Sequence, residues 1–207
     1  MPASLKVTPV KYRTYKVSGD DLNAILKDMK KKGPKDPNDG KRVAALTSTT
    51  LDVSAAVSSA KFEGDGGIIT RSDGKFEAKA KIKSMPVLYY SETLMPEIGA
   101  NKLSVRAWVE WARFKVKLGI HENEHVKKVK SDAVTIVADI NAMRGVGVDA
   151  DKGKAAFAAA GDLQAQIVKK YNGTTLKKRF NAIHKKLDKP KKRGRPGHGP
   201  VLDATIK

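Results

Sequence analysis

The chain contains no cysteine. Disulfides are excluded, and so is any metal site built on thiolates, which leaves His, Asp and Glu as the available ligands. Histidine is itself scarce: His121, His125, His184 and His198 are the only four. No apolar run is long enough for a bilayer-crossing helix, and residues 1–7 lack the apolar stretch of a signal peptide. The expectation is a soluble protein with no membrane partner, cytoplasmic or nucleoid-associated. Acidic residues are the minority charge, 22 Asp and Glu against 41 Lys and Arg, for a formal net charge of +19. Such a balance favours a polyanionic partner. The hydrophobic share is an ordinary 40%, so 207 residues are enough for one sizeable core and a tail.

Two of the four histidines fall in one motif, His121-Glu122-Asn123-Glu124-His125. On a helix, residues four apart share a face. His121 and His125 can then hold one metal ion, with Glu122 beside it to manage a metal-bound water. This is the H-E-x-x-H pattern of zinc peptidases, with Glu122 as general base. The flanks supply the helix: Ala107, Trp111, Val126, Val129, Ala133, Ile136 and Ile140 recur at helical spacing, which predicts a helix over about 104–143. Glu124 is a charge where such helices usually carry none. The plainer alternative is a charged helix face with two incidental histidines.

Upstream, residues 6–17 read as strand. Ser18 reads as the cap of a short helix with Leu22, Ile25, Leu26 and Met29 on its apolar stripe, ending at Gly33-Pro34. A run of short strands is expected over 42–57, 68–71, 76–83 and 87–90. Phe76, Ala78, Ala80 and Ile82 alternate with charged residues as in a half-buried antiparallel strand. Past the long helix, Gly145 and Gly147 read as its end. Further helices are expected over about 154–171 and 174–187, with His184 beside the apolar stripe of the second. Residues 189–200 contain no apolar side chain but Pro and cannot build a core.

Several segments are shared with one family. The opening is Tyr15-Lys16-Val17-Ser18-Gly19, then Leu22 and Leu26, then Gly33-Pro34. Pro96 lies near the end of a sheet-forming middle, and Trp108 or Trp111 leads into His121. Tyr171-Asn172-Gly173-Thr174-Thr175 follows the second of the long helices. From about residue 12 to 175 the chain resembles a bacterial family described as predicted secreted zinc-dependent proteases, domain of unknown function 922. The resemblance implies a zinc-dependent peptidase acting on protein or peptide substrates. It also implies a third ligand from a histidine in a Tyr-Asp-x-x-Thr-x-His-Gly segment. Here Lys177 stands at that histidine's place, and an ammonium cannot replace it. The family's cysteines and export signal are missing too. A catalytic zinc site needs a third protein ligand, and the candidates are His184, with His198 as the alternative.

The run Lys191-Lys192-Arg193-Gly194-Arg195-Pro196 resembles an AT-hook, in which Arg-Gly-Arg-Pro lies in a narrow A·T-rich minor groove. DNA is thus an expected partner through the tail. The plainer alternative is a solubilising basic tail. Taken together, the sequence predicts an α+β fold of zincin-like type: an N-terminal antiparallel sheet with one short helix, the long H-E-x-x-H helix, and two further helices. The expected domains are 1–188 for the peptidase and 189–207 for the basic tail. The expected function is Zn2+-dependent peptide hydrolysis, tethered to DNA by the tail. The alternative is a catalytically inactive, peptidase-like DNA-binding protein.

Overall fold

A computed structural model of the chain describes residues 2–99, 102–189 and 199–206. Its elements are β1 (Ala3–Val7), β2 (Lys11–Val17), α1 (Leu22–Lys32), β3 (Leu46–Asp52), α2 (Val53–Ser58), β4 (Lys61–Gly64), β5 (Ile69–Thr70), β6 (Phe76–Ile98), α3 (Val105–Ala142), β7 (Gly145–Asp149), α4 (Lys152–Lys170) and α5 (Gly173–Asp188). The backbone divides into two compact units. One comprises Met1–Thr8, Thr50–Tyr90 and Lys130–Lys178; the other comprises Pro9–Thr49, Ser91–Val129 and Arg179–Lys207. Among the described residues, no helix is long and apolar enough to cross a membrane.

Every other strand pairs with β6. β4, β5 and β7 run antiparallel to it, but β1 and β2 run parallel, with Ala3 opposite Met85 and Lys11 opposite Glu92. The sheet is therefore mixed, and the expected antiparallel sheet is corrected. Strands joined by a tight turn must be antiparallel, whereas a long connection permits parallel pairing. The whole stretch from α1 to β5 separates β2 from β6. The expected strand breaks after residue 83 are also absent. β6 runs for 23 residues through Pro86 and Pro96. The register shifts where Lys61 faces Ser84 but Phe62 faces Ile82. Across that bulge the buried positions change from Ala78, Ala80 and Ile82 to Met85, Val87, Tyr89, Ser91 and Thr93. One extra residue swaps the faces of a strand, so a continuous strand reads as two.

In the second unit, α1 begins later than expected. Asp21, not Ser18, is its cap and accepts the Ala24 N–H, while Ser18 bonds to Asp28. Leu22, Ile25 and Met29 pack into one core with Val17, Trp111, Phe114 and Leu118. Each fully buried side chain of this size contributes about 2 kcal/mol. α3 is capped by the Ser104 hydroxyl, which accepts the Ala107 N–H. Its inward stripe runs Ala107, Trp111, Phe114, Leu118 and then, in the same rhythm, Glu122, His125 and Val129, all buried. The motif residues thus occupy positions that would otherwise hold core side chains.

Residues 42–57 are not one strand: Asp52 ends β3 and caps α2 by accepting the Ala55 N–H. Gly145 and Gly147 do not simply end a helix but lie in β7, antiparallel to β6. α4 is pressed onto that strand, with Ala155, Ala159 and Leu163 fully buried. A Cβ at Gly145 would overlap the carbonyl oxygen of Ala159, and one at Gly147 that of Ala155. Backbone cannot yield as a side chain can, so overpacking here costs at the upper end of its usual range. Gly147→Ala is expected to destabilise the protein by about 3 kcal/mol or more, read from the urea unfolding midpoint. Gly161→Ala, where a Cβ meets nothing, should not destabilise it.

Candidate metal centre

The apolar stripe of α3 carries Glu122 and His125 inward, and His121 lies one turn before His125 at the edge of the same face. The two imidazoles meet edge to face, with their Nε2 atoms 3.1 Å apart. Asp188, the last residue of α5, brings its Oδ1 to 3.2 Å from His121 Nε2 and 3.2 Å from His125 Nε2. Three ligand-type atoms therefore form a nearly equilateral triangle. A tetrahedral zinc ion with bonds of about 2.05 Å separates its donors by about 3.3 Å. His121, Glu122 and His125 also form a group whose ligand atoms lie within 4.8 Å of one another. The residues present thus fit a metal ion, and they can hold one without any cysteine.

His125 uses its other nitrogen elsewhere. Its Nδ1 lies 2.9 Å from Nδ1 of His184, and His184 Nε2 lies 3.3 Å from the hydroxyl of Thr49 on β3. Burial and the neighbouring His125 push His184 down to about 4, so its ring is neutral at pH 7. The contact with Asp188 raises His121 against the opposing effect of burial. Burial pushes Asp188 up, but hydrogen bonds from His121 and His125 outweigh it and hold its carboxyl well below the usual carboxylate range.

Glu122 is buried beside this cluster. Burial pushes its carboxyl up, opposed by the Thr47 hydroxyl, which donates to Oε2 at 2.8 Å. Thr47 Oγ1 also lies 2.9 Å from Thr93 Oγ1. With the Thr47 proton given to Glu122, Thr93 must be the donor in that second bond. Glu124, the charge that looked out of place, is exposed and stays solvated.

The end of the chain returns to α3. Leu202 is buried in the core with Trp111 and Leu118, and Ile206 packs against it. Glu110 accepts the Asp203 N–H at 2.8 Å, and Arg113 donates to the carbonyl of Val201. Gly199 lies against the His121 ring. A groove of about 660 Å³ lies along the start of α3, lined by Val105, Val109, Glu110, Arg113 and Ile206, away from the histidines.

Of the residues singled out in the sequence, His121, Glu122, His125 and His184 come together. His184 meets His125 at Nδ1, not at the Nε2 side where His121 converges. His198 and the AT-hook-like residues Lys191, Lys192, Arg193, Gly194, Arg195 and Pro196 lie outside the described residues. Sequence reasoning missed Asp188, Thr47, Thr49 and Thr93. Asp188 had a signal, since it stands four residues after His184 on α5, the spacing that pairs His121 with His125. The threonines had none, because nothing local links β3 or β6 to α3 or α5.

A family model described as "Bacterial protein of unknown function (DUF922)" matches residues 12–175. No curated protein and no solved structure matches the chain.

The contact that ties the C-terminal segment down is pH-sensitive. Arg113 holds the Glu110 carboxyl below the usual range against the opposing effect of burial, helped by the Asp203 N–H and by Lys117. A carboxylate with a lowered folded pKa stabilises the fold above its unfolded value, about 4.3, and that stability is lost as the pH falls through the folded value. Residues 201–206 are therefore expected to lose hydrogen-exchange protection, corrected for intrinsic rates, as the pH drops below about 4. In Glu110→Gln the segment should exchange faster already at neutral pH and show little further change on acidification.

Proposed function

The chain belongs to the bacterial family of unknown function DUF922, and on that premise we propose that it is a metal-dependent peptide hydrolase. One observation carries the reading: two histidine Nε2 atoms 3.1 Å apart on one helix face, with a buried carboxylate between them in sequence. The ligands are His121 and His125, and the nitrogen-rich, cysteine-free donor set favours zinc. Held there, zinc supplies Lewis acidity, polarising a carbonyl and lowering the pKa of water toward about 7. Glu122 is the general base. Thr47 fixes its Oε2, so the other carboxylate oxygen takes the proton of the attacking water and returns it to the departing amine. Thr93 supports Thr47 and so holds the carboxylate in one orientation.

The test is Glu122→Gln. The amide keeps the shape and leaves both histidines in place. Metal content by elemental analysis should match wild type, while cleavage of an unstructured protein substrate should fall by about 10²–10⁴-fold. Wild-type cleavage in this variant would remove Glu122 from the chemistry.

A second reading concerns the charge. Lys177, Lys178, Lys185 and Lys186 are exposed on α5, in a chain of net charge +19 that continues into Lys191-Lys192-Arg193-Gly194-Arg195-Pro196. We propose that this basic run tethers the protein to DNA. Replacing Lys191, Lys192, Arg193 and Arg195 together by Gln is the proper test, because deleting residues 189–207 would also remove Leu202 from the core. Affinity for duplex DNA should drop, and the slope of log K against log salt should flatten by roughly 3 to 4. An unchanged slope would leave the run as a solubilising tail.

A further inference from the structure

We infer that Asp188 is the third protein ligand of the metal centre, and that His184 is an outer residue that orients His125. This rests on the metal-centre reading of His121 and His125 above. The geometry separates the two candidates. Asp188 Oδ1 lies 3.2 Å from both converging Nε2 atoms. His184 instead meets the opposite nitrogen of one ring, at 2.9 Å. A histidine there completes no triangle with His121.

The proton inventory assigns His184 its part. For His125 to offer a bare Nε2 to a cation, its proton must sit on Nδ1. That proton needs an acceptor, and His184 Nδ1 is within reach. With its Nδ1 accepting, a neutral His184 carries its own proton on Nε2, where Thr49 Oγ1 accepts it at 3.3 Å. The chain His125 to His184 to Thr49 thus selects the tautomer that binds metal, as hydrogen-bond partners of ligating histidines do elsewhere. Two helices contribute one i, i+4 pair each: His121 and His125 from α3, His184 and Asp188 from α5. Each pair places its members one turn apart on one face.

The donor set is then two imidazole nitrogens and one carboxylate oxygen, with a position left for substrate. That is the composition of a catalytic zinc site rather than a closed structural one. The carboxylate also faces both ring nitrogens with negative charge at 3.2 Å, and a divalent cation taking the place of the bridging protons would be attracted to it.

The test uses the full chain, stripped with a chelator and titrated with zinc against a chromogenic chelator. Wild type should take up one zinc. Asp188→Asn, which keeps the size of the side chain, should lose affinity by more than the roughly 100-fold that an outer residue accounts for. Asp188→Ala should do the same. His184→Ala should still bind one zinc, about 10–100-fold more weakly. His184→Gln, whose amide oxygen can accept the His125 proton, should recover most of that loss. Circular dichroism and urea midpoints establish that each variant is folded. Asp188 variants that bind within a few-fold of wild type would overturn the inference. So would His184→Ala losing zinc outright, which would make His184 the ligand. Should the folded wild type take up neither zinc nor cobalt(II), the metal-centre reading falls and this inference with it.

Discussion

Burial of polar groups on the inward stripe of α3 is the constraint on which the rest of the second unit depends. Glu122 and His125 continue the rhythm set by Trp111, Phe114 and Leu118, and so are carried out of water by the same packing. A buried polar group left without a partner costs about 1–3 kcal/mol, and more if charged. Each neighbour answers that cost. Thr47 and Thr93 close a hydroxyl chain onto Glu122. His184 and Thr49 satisfy one nitrogen of His125, and Asp188 faces the other. An apolar stripe would need none of these. The cluster is therefore a hydrogen-bonded polar network inside the core, not a pair of histidines on a solvated charged face.

Such a cluster is held by elements from distant parts of the sequence. Thr47 and Thr49 come from β3, Thr93 from β6, and His184 and Asp188 from α5. Gly199 and Leu202 return from the C-terminal end to pack on α3 beside His121. The basic run before Gly199 is therefore bounded on both sides by structure. α5 precedes it, and a segment anchored through Leu202, Glu110 and Arg113 follows it.

How much of this was legible depended on the range of the signal. α3 was read to within a residue or so at each end, because a 3.6-residue apolar rhythm is a local feature. α4 and α5 followed for the same reason. The sheet was not legible. Parallel pairing of β1 and β2 with β6 joins residues some 80 positions apart, and the bulge at Lys61–Phe62 reverses the alternation on which a strand reading relies. The motif residues were legible because their spacing is itself helical. Asp188 obeyed the same spacing relative to His184, but no local signal links the last turn of α5 to His121 and His125 on α3, so the spacing alone did not mark that carboxylate.

Lys177 takes on a different meaning in this light. A lysine at the place of an expected histidine ligand suggests a ruined site if that turn of α5 must supply the donor. Lys177 is exposed, and Asp188 stands three turns further along the same helix. The family match ends at residue 175, so neither position lies in the shared stretch. A carboxylate that reaches both Nε2 atoms from the last turn of α5 leaves the earlier turn free to carry any charge. The pattern His-x-x-x-Asp in α5 then matters more than the identity of residue 177. On this argument, a lysine at the place of the expected histidine does not by itself rule out a metal ion held between His121 and His125.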